Sequence, residues 1–282
     1  MQDLMKGKRG LIMGIANDHS IAWGVAKAVA AQGAELAFTY QGEALGKRVK
    51  PLAEQLAVDT VLSCDVEDIA SVDAVFEALR AKWGRLDFLV HAIGFSDKNE
   101  LKGRYADTTR ANFSRTMLIS CFSFTELARR AAELMTGTGG SMITLTFGGS
   151  VRVMPNYNVM GVAKAALEAS VRYLAADFGP RGIRVNALSA GPVRTLAGAV
   201  IGDSRQMLGF QKRNAPLRRM VSIDEIGGSA LYLLSGLSTG VTGEIHFVDS
   251  GYNIVSMPRL EALKLIEEAE SKSEQGTPEA AK

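Results

Sequence analysis

Gly10-Leu11-Ile12-Met13-Gly14-Ile15-Ala16-Asn17-Asp18-His19-Ser20-Ile21-Ala22-Trp23-Gly24 reads as a strand, a turn and the start of a helix. The apolar run 10–13 has strand length, Gly14 breaks it, and from Ile21 to position 31 the apolar residues recur at helical spacing. A helix entered this way aims its first backbone N–H groups at the end of the strand, where they can hold an anion. The stretch departs from the strict G-x-G-x-x-G pattern, because Ala16 replaces the second glycine and the loop is longer. A pyrophosphate still finds what it needs, backbone amides at a helix N-terminus, and Ser20 either adds a hydroxyl or serves only as an N-cap.

Working outward, the same alternation repeats. Strands are expected at 35–39, 60–63, 86–91, 141–146, 183–188 and 243–248, with helices at 43–56, 69–83, 109–135, from near Tyr157 to Phe178, and at 222–234. Pro51 lies inside the second helical pattern and predicts a kink or a split there. Residues 92–107 form a loop over the strand ends and 189–220 an irregular stretch. Short apolar strands alternating with longer amphipathic helices specify an α/β domain, a doubly wound parallel sheet of about seven strands with helices on both faces. No compositional break divides residues 1–259, so they form one domain. Residues 260–282 are densely charged, end in small polar residues, and suit a frayed, disordered tail.

The totals exclude more than they nominate. With 47% hydrophobic residues the 282-residue chain can bury a large core. Its 32 basic and 30 acidic residues, a net charge of +2, offer no broad field for nucleic acid. Cys64 and Cys121 have neither metal-ligand spacing nor a disulfide pattern and read as reduced core residues. His19 and His246 lack partners at ligand spacing, so no metal is expected, and His91 at a strand end reads as structural. The N-terminal apolar run is too short for a secretion signal or a spanning helix, which predicts a cytoplasmic protein without membrane insertion.

In such a sheet the ligand lies across the C-terminal strand ends. The second strand ends at Gln41, where an acidic residue would grip the ribose of NAD and an arginine would favour NADP. A neutral amide still bonds a ribose and points to NADH, while Lys47 and Arg48 keep NADPH open. Asp65, ending the third strand beside Val66, can accept from an adenine amino group or cap the next helix. After the fourth strand, Ile93 and Gly94 form a small-residue turn that allows close approach.

Tyr157 and Lys164, seven positions apart in Met154-Pro155-Asn156-Tyr157-Asn158-Val159-Met160-Gly161-Val162-Ala163-Lys164, fall almost two turns along one helical face. Alone they could be the polar edge of an amphipathic helix. Together with the cofactor turns they read as a catalytic pair, in which the ammonium favours the ionised phenol and eases release of its proton.

These features together resemble the short-chain dehydrogenase/reductase superfamily, with its Rossmann-type sheet. The wide tyrosine-to-lysine gap, the long loop 14–22 and Ser189-Ala190-Gly191-Pro192-Val193-Arg194-Thr195-Leu196-Ala197 are similar to the bacterial NADH-dependent enoyl-acyl-carrier-protein reductases. The resemblance implies reduction of a trans-2-enoyl thioester on acyl carrier protein by NADH, in fatty-acid biosynthesis, by a cytoplasmic homotetramer. It implies Tyr157 as donor to the enolate oxygen and Lys164 on the nicotinamide ribose. Gly14, Ser20, Ile21, Gln41, Asp65, Val66, Ile93, Val193, Arg194, Thr195, Leu196 and Ala197 would line the cofactor. Ser96, Phe147, Tyr157 and Met207 would meet substrate, and a lid over about 193–220 would close on it. Phe147 departs from the pattern, since the family carries a second tyrosine there. That departure leaves a short-chain carbonyl reductase, or a weakly active dinucleotide-binding relative, as alternatives.

Overall fold

The computed structural model describes residues 3–135, 137, 139–193, 195 and 204–259, with the side chains of 204–206 excepted. Seven strands form one wholly parallel sheet in the order β3-β2-β1-β4-β5-β6-β7: β1 Arg9–Met13, β2 Glu35–Tyr40, β3 Thr60–Ser63, β4 Phe88–His91, β5 Gly140–Thr146, β6 Ile183–Ala190 and β7 Ile245–Val248. The order reverses between β1 and β4, and the crevice at that switch point is where α/β sheets bind ligands. The helices are α1 Ile21–Ala30, α2 Gly42–Gln55, α3 Ile69–Trp83, α4 Arg110–Met117, α5 Ser123–Leu134, α6 Asn158–Phe178, α7 Ser204–Asn214 and α8 Ile223–Leu234.

Alternation along each strand feeds two cores. Leu11 and Met13 of β1 join Leu89, Met142, Val185, Phe124, Leu127, Leu167 and Val171 on one face of the sheet. Ile12 points the other way, into a cluster with Phe38, Val90, Ile143, Trp23, Val29, Val49, Ile226 and Leu233. Burial on both faces is why these strands read as apolar runs rather than as alternating patterns. On the second face α1 and α8 meet through glycines. A Cβ at Gly24 would lie 2.3 Å from the Ile223 carbonyl oxygen, and one at Gly227 2.5 Å from that of Gly24.

Four expectations are corrected. The helix over 109–135 is broken: α4 and α5 are separated by a π-helical turn, Leu118–Phe122. Within it the Ser120 hydroxyl is engaged by the backbone of Phe95, and Ser123 Oγ donates to the Ile119 carbonyl at 2.7 Å, side-chain bonds that compete with the helical ladder. The helix α2 runs through Pro51 as one element. The stretch 189–220, read as irregular, contains α7. Strand β4 also begins later than expected, at Phe88, because the Leu86 N–H bonds the Leu134 carbonyl instead of a neighbouring strand. Among the described residues no helix is long and apolar enough to cross a membrane.

Candidate active site

At the C-terminal edge of the sheet a cavity of about 1760 Å³ opens. Its lining includes Gly14, Ser20, Ile21, Ile93, Ser96, Phe147, Tyr157, Lys164, Val193, Thr195 and Met207, so most of the residues chosen from sequence share one wall system. Gln41, Asp65 and Val66 lie outside that lining, at the ends of β2 and β3. Arg194, Leu196, Ala197 and residues 260–282 fall outside the described residues.

The first turn is built for a close approach. Gly14 has φ +99°, and a Cβ there would sit 2.1 Å from the Ala92 carbonyl oxygen, so only glycine lets β1 and β4 end side by side. Ser20 occupies the N-cap position of α1 without capping it. Its hydroxyl accepts from the N–H groups of Ala16 (3.0 Å) and Asn17 (3.1 Å) and donates to Asn17 Oδ1 (3.2 Å). The hydroxyl therefore shapes the loop, and Ile21 and Ala22, whose amides open the helix without an intrahelical acceptor, line the cavity, where a helix N-terminus can meet an anion.

At the far strand ends Gln41 Nε2 donates to Asp65 Oδ2 at 2.9 Å, while Asp65 Oδ1 accepts from the Glu67 N–H at 2.9 Å. The cap of α3 is Asp68, which accepts from the Ala70 N–H, and not Asp65. The pair orients Gln41: with its amide nitrogen turned to the carboxylate, its carbonyl oxygen is presented as an acceptor.

Tyr157 stands at the N-cap of α6, one residue before the helix proper, between Asn156 (φ 57°) and Asn158 (φ 36°). Asparagine tolerates this left-handed backbone, and Asn158 Nδ2 reaches the carbonyls of Glu100 (3.2 Å) and Gly103 (3.3 Å), tying the helix start to the 92–107 loop. The phenol ring packs edge-on against Phe147, with centroids 5.2 Å apart and planes at 70°. Behind it, a Cβ on Gly149 would lie 2.6 Å from Tyr157 Cδ1. The ring is held by Phe147 on its edge and by the Gly149 backbone behind it.

Lys164 is buried and donates from Nζ to the Leu145 carbonyl at 2.7 Å, leaving two of its three protons for ligands. Burial lowers its pKa to about 8, against the opposing influence of Cys121 and Glu168. Burial also pushes the Tyr157 phenol well above its ordinary value, with the Glu168 carboxylate adding to the shift. The expected pull of the ammonium towards the ionised form is not among the influences on the phenol. Burial and Glu168 both favour the neutral phenol, which suits a hydrogen-bond donor.

His91 is structural, as its position implied. Its Nε2 lies 2.9 Å from Ser123 Oγ and its Nδ1 2.8 Å from Thr144 Oγ1. Because Ser123 already donates to Ile119, Nε2 carries the proton. Burial, then the Lys164 charge, depresses the imidazole to about 3. Cys64 and Cys121 are free and buried.

Sequence reasoning missed Met160, which lines the cavity, and the buried Glu168. Positions 157, 160, 164 and 168 follow helical spacing, a signal that was available. It also missed the clamp on the substrate-side loop, where Ser120 Oγ both accepts from the Phe95 N–H and donates to its carbonyl, each at 2.9 Å. That clamp depends on the π turn and has no sequence signature.

A parallel sheet with an anion-ready first turn, and a buried tyrosine and lysine at its crevice, defines a nicotinamide-dependent reductase of the short-chain type. Comparison with known proteins sharpens this. Residues 14–253 match the family model described as enoyl-(acyl carrier protein) reductase, and the chain belongs to that family. It is 76% identical over 265 residues to enoyl-[acyl-carrier-protein] reductase [NADH] 2 of Rhizobium meliloti, covering 94% of this chain and 98% of that one. It is 54% identical to the NADH enzyme FabI of Rickettsia bellii, covering 91% and 98%. Among solved structures, FabI from Candidatus Liberibacter asiaticus superposes with a TM-score of 0.90 at 62% identity, covering 92% of this chain and all of that one. The Anaplasma phagocytophilum reductase, solved in complex with NAD, gives 0.88 at 56% identity, covering 93% and 97%.

Proposed function

We propose that this chain reduces trans-2-enoyl thioesters carried on acyl carrier protein to the saturated acyl thioesters, with NADH as reductant, in fatty-acid biosynthesis. The observation that carries the reading is the buried Tyr157–Lys164 pair in one cavity with the first turn of α1, within a chain of the enoyl reductase family.

The residues present fit the cofactor. Gly14 clears the backbone at the crevice, the amides of Ile21 and Ala22 meet negative charge, and Lys164 retains protons for a ribose. The acceptor carbonyl of Gln41, turned outward by Asp65, suits ribose hydroxyls better than a 2′-phosphate, which is why NADH is preferred. Ser20 lines the loop side of the same seat, and Asp65 and Val66 the adenine side, with Ile93, Val193 and Thr195 around the rest; the family resemblance adds Arg194, Leu196 and Ala197, which lie outside the described residues. Bound there, NADH supplies a hydride to the β-carbon of the enoyl thioester.

The chain's own task is charge control. Tyr157, held neutral, donates to the thioester oxygen as negative charge develops on it. The ammonium of Lys164 adds a fixed positive charge to the same wall and positions the ribose. Ser96, Phe147 and Met207 bound the substrate end, and α7, within the stretch 193–220 for which the family resemblance implies a lid, would help exclude water; residues 194 and 196–203 of that stretch lie outside the described residues.

The enzyme is read as a cytoplasmic homotetramer. Supporting this, Phe113, Phe122 and Tyr173 remain exposed on α4, the π turn and α6, and Phe247 is exposed on β7, an edge strand of the sheet. A monomer by light scattering would contradict it. The function is tested by following nicotinamide absorbance with crotonyl and longer enoyl thioesters and either cofactor. NADH oxidation is expected, and no turnover at any chain length would refute the reading.

A further inference from the structure

Glu168 is a buried carboxylate with no part in the chemistry above. It lies on α6 one helical turn beyond Lys164, on the face that also carries Tyr157, and it is 5% exposed. Thr146, at the end of β5 and equally buried, donates to Glu168 Oε1 at 2.6 Å. That length is typical of a hydroxyl bonded to an ionised carboxylate. The preceding residue of β5, Leu145, supplies the carbonyl that receives Lys164 Nζ. Two consecutive residues of one strand end thus anchor an ammonium and a carboxylate that stand one turn apart on the same helix.

A buried carboxylate with a single hydrogen bond is costly unless it answers a buried cation. Cys121 from the π turn and Glu168 bear on Lys164, whose charge in turn bears on His91 from β4, while Tyr157 at the helix start shares its cavity wall. Burial keeps the thiol, the imidazole and the phenol neutral. Glu168 is the counter-charge in that set.

We propose that Glu168, fixed by Thr146, is a positioning residue that keeps Lys164 an ammonium in a site too dry to do so unaided. The proposal rests on the reading that Lys164 acts as a cation in the reaction. It predicts that loss of the carboxylate charge leaves the lysine neutral at pH values where the native enzyme holds it charged. A purely structural role for Glu168, a tether between α6 and β5, predicts no such change, because a glutamine can still accept from Thr146.

The test is Glu168→Gln, in the full chain without cofactor, by competitive acetylation of lysines between pH 6 and 10 with Lys164 followed by peptide mass spectrometry. Native Lys164 should be half-ionised near pH 8, and the variant about one pH unit lower or more. In parallel, kcat/KM should fall about threefold at pH 7.5 and about tenfold above pH 9, with recovery at pH 6.5, as expected for a cation whose ionisation has moved by one unit. An unchanged labelling profile in a folded variant overturns the proposal. Should the variant not fold, the native profile alone still decides, since a Lys164 half-ionised below about pH 7 would show that Glu168 does not hold its charge. A labelling shift with no change in the rate profile supports the role of Glu168 and refutes the assignment of the ammonium to the reaction.

Discussion

Tyr157→Phe removes one oxygen from the place where charge is proposed to develop and nothing else. The ring is retained by its edge-on contact with Phe147 at 5.2 Å and by the bare backbone of Gly149 behind it. Stability should therefore change by less than about 1 kcal/mol, within the range of substitutions that open no cavity and strand no partner. Catalysis should change much more. The phenol is neutral and buried, so its hydrogen bond to a developing oxyanion resembles loss of one oxyanion-hole donor, about 2.7–4 kcal/mol or roughly 10²–10³ in kcat. Steady-state oxidation of NADH with saturating enoyl thioester measures kcat, and quenching of protein fluorescence measures NADH affinity, which should stay within about threefold. A variant that turns over within about threefold of the native enzyme would refute Tyr157 as the donor.

Phe147→Tyr should be tolerated by the fold, since the ring already lines the cavity; a rise in kcat on enoyl thioesters would show that the native site lacks a useful hydroxyl, and an unchanged kcat that Tyr157 suffices. Gly149→Ala should cut kcat by about tenfold or more while folding normally, because its Cβ would meet Tyr157 Cδ1 at 2.6 Å and displace the phenol by a fraction of an ångström; native kinetics would show that the ring position is not critical. Folding stability should fall on acidification from His91. Its pKa drops from 6.5 to about 3 on burial, so the unfolded chain binds the extra proton below pH 6.5, and the stability present above that value is lost as pH falls toward 3. Thermal melts of native protein and a His91→Gln variant would check this, the variant losing less between pH 6.5 and 4.5; equal losses would place the acid sensitivity elsewhere.

The sheet was legible because its strands are buried on both faces, so Leu11-Ile12-Met13 and Leu89-Val90 announce themselves as apolar runs of strand length. The catalytic face was legible because helical spacing survives in sequence. What could not be read are bonds between distant segments. Ser120 and Ser123 look like ordinary helix residues until Phe95 and Ile119 claim their hydroxyls and widen the helix into a π turn. Ser20 looks like a cap until Ala16 and Asn17 turn their amides to it. Asp65 looks like a cap too, yet Asp68 caps, because only the folded chain brings Gln41 within 2.9 Å of the Asp65 carboxylate.

The directions in which Tyr157 and Lys164 are shifted bear on the proposed roles of the pair. Burial disfavours charge on either group, so it raises the phenol and lowers the ammonium. The structure compensates one of them only. Lys164 has the Leu145 carbonyl at 2.7 Å and Glu168 along its helix, both of which favour the cation. For Tyr157 the same carboxylate works the other way and reinforces the neutral phenol. The site therefore holds a cation beside a proton that is hard to remove, and such a proton is given up only to an oxygen that has become strongly basic. Hydride addition to an enoyl thioester creates that oxygen.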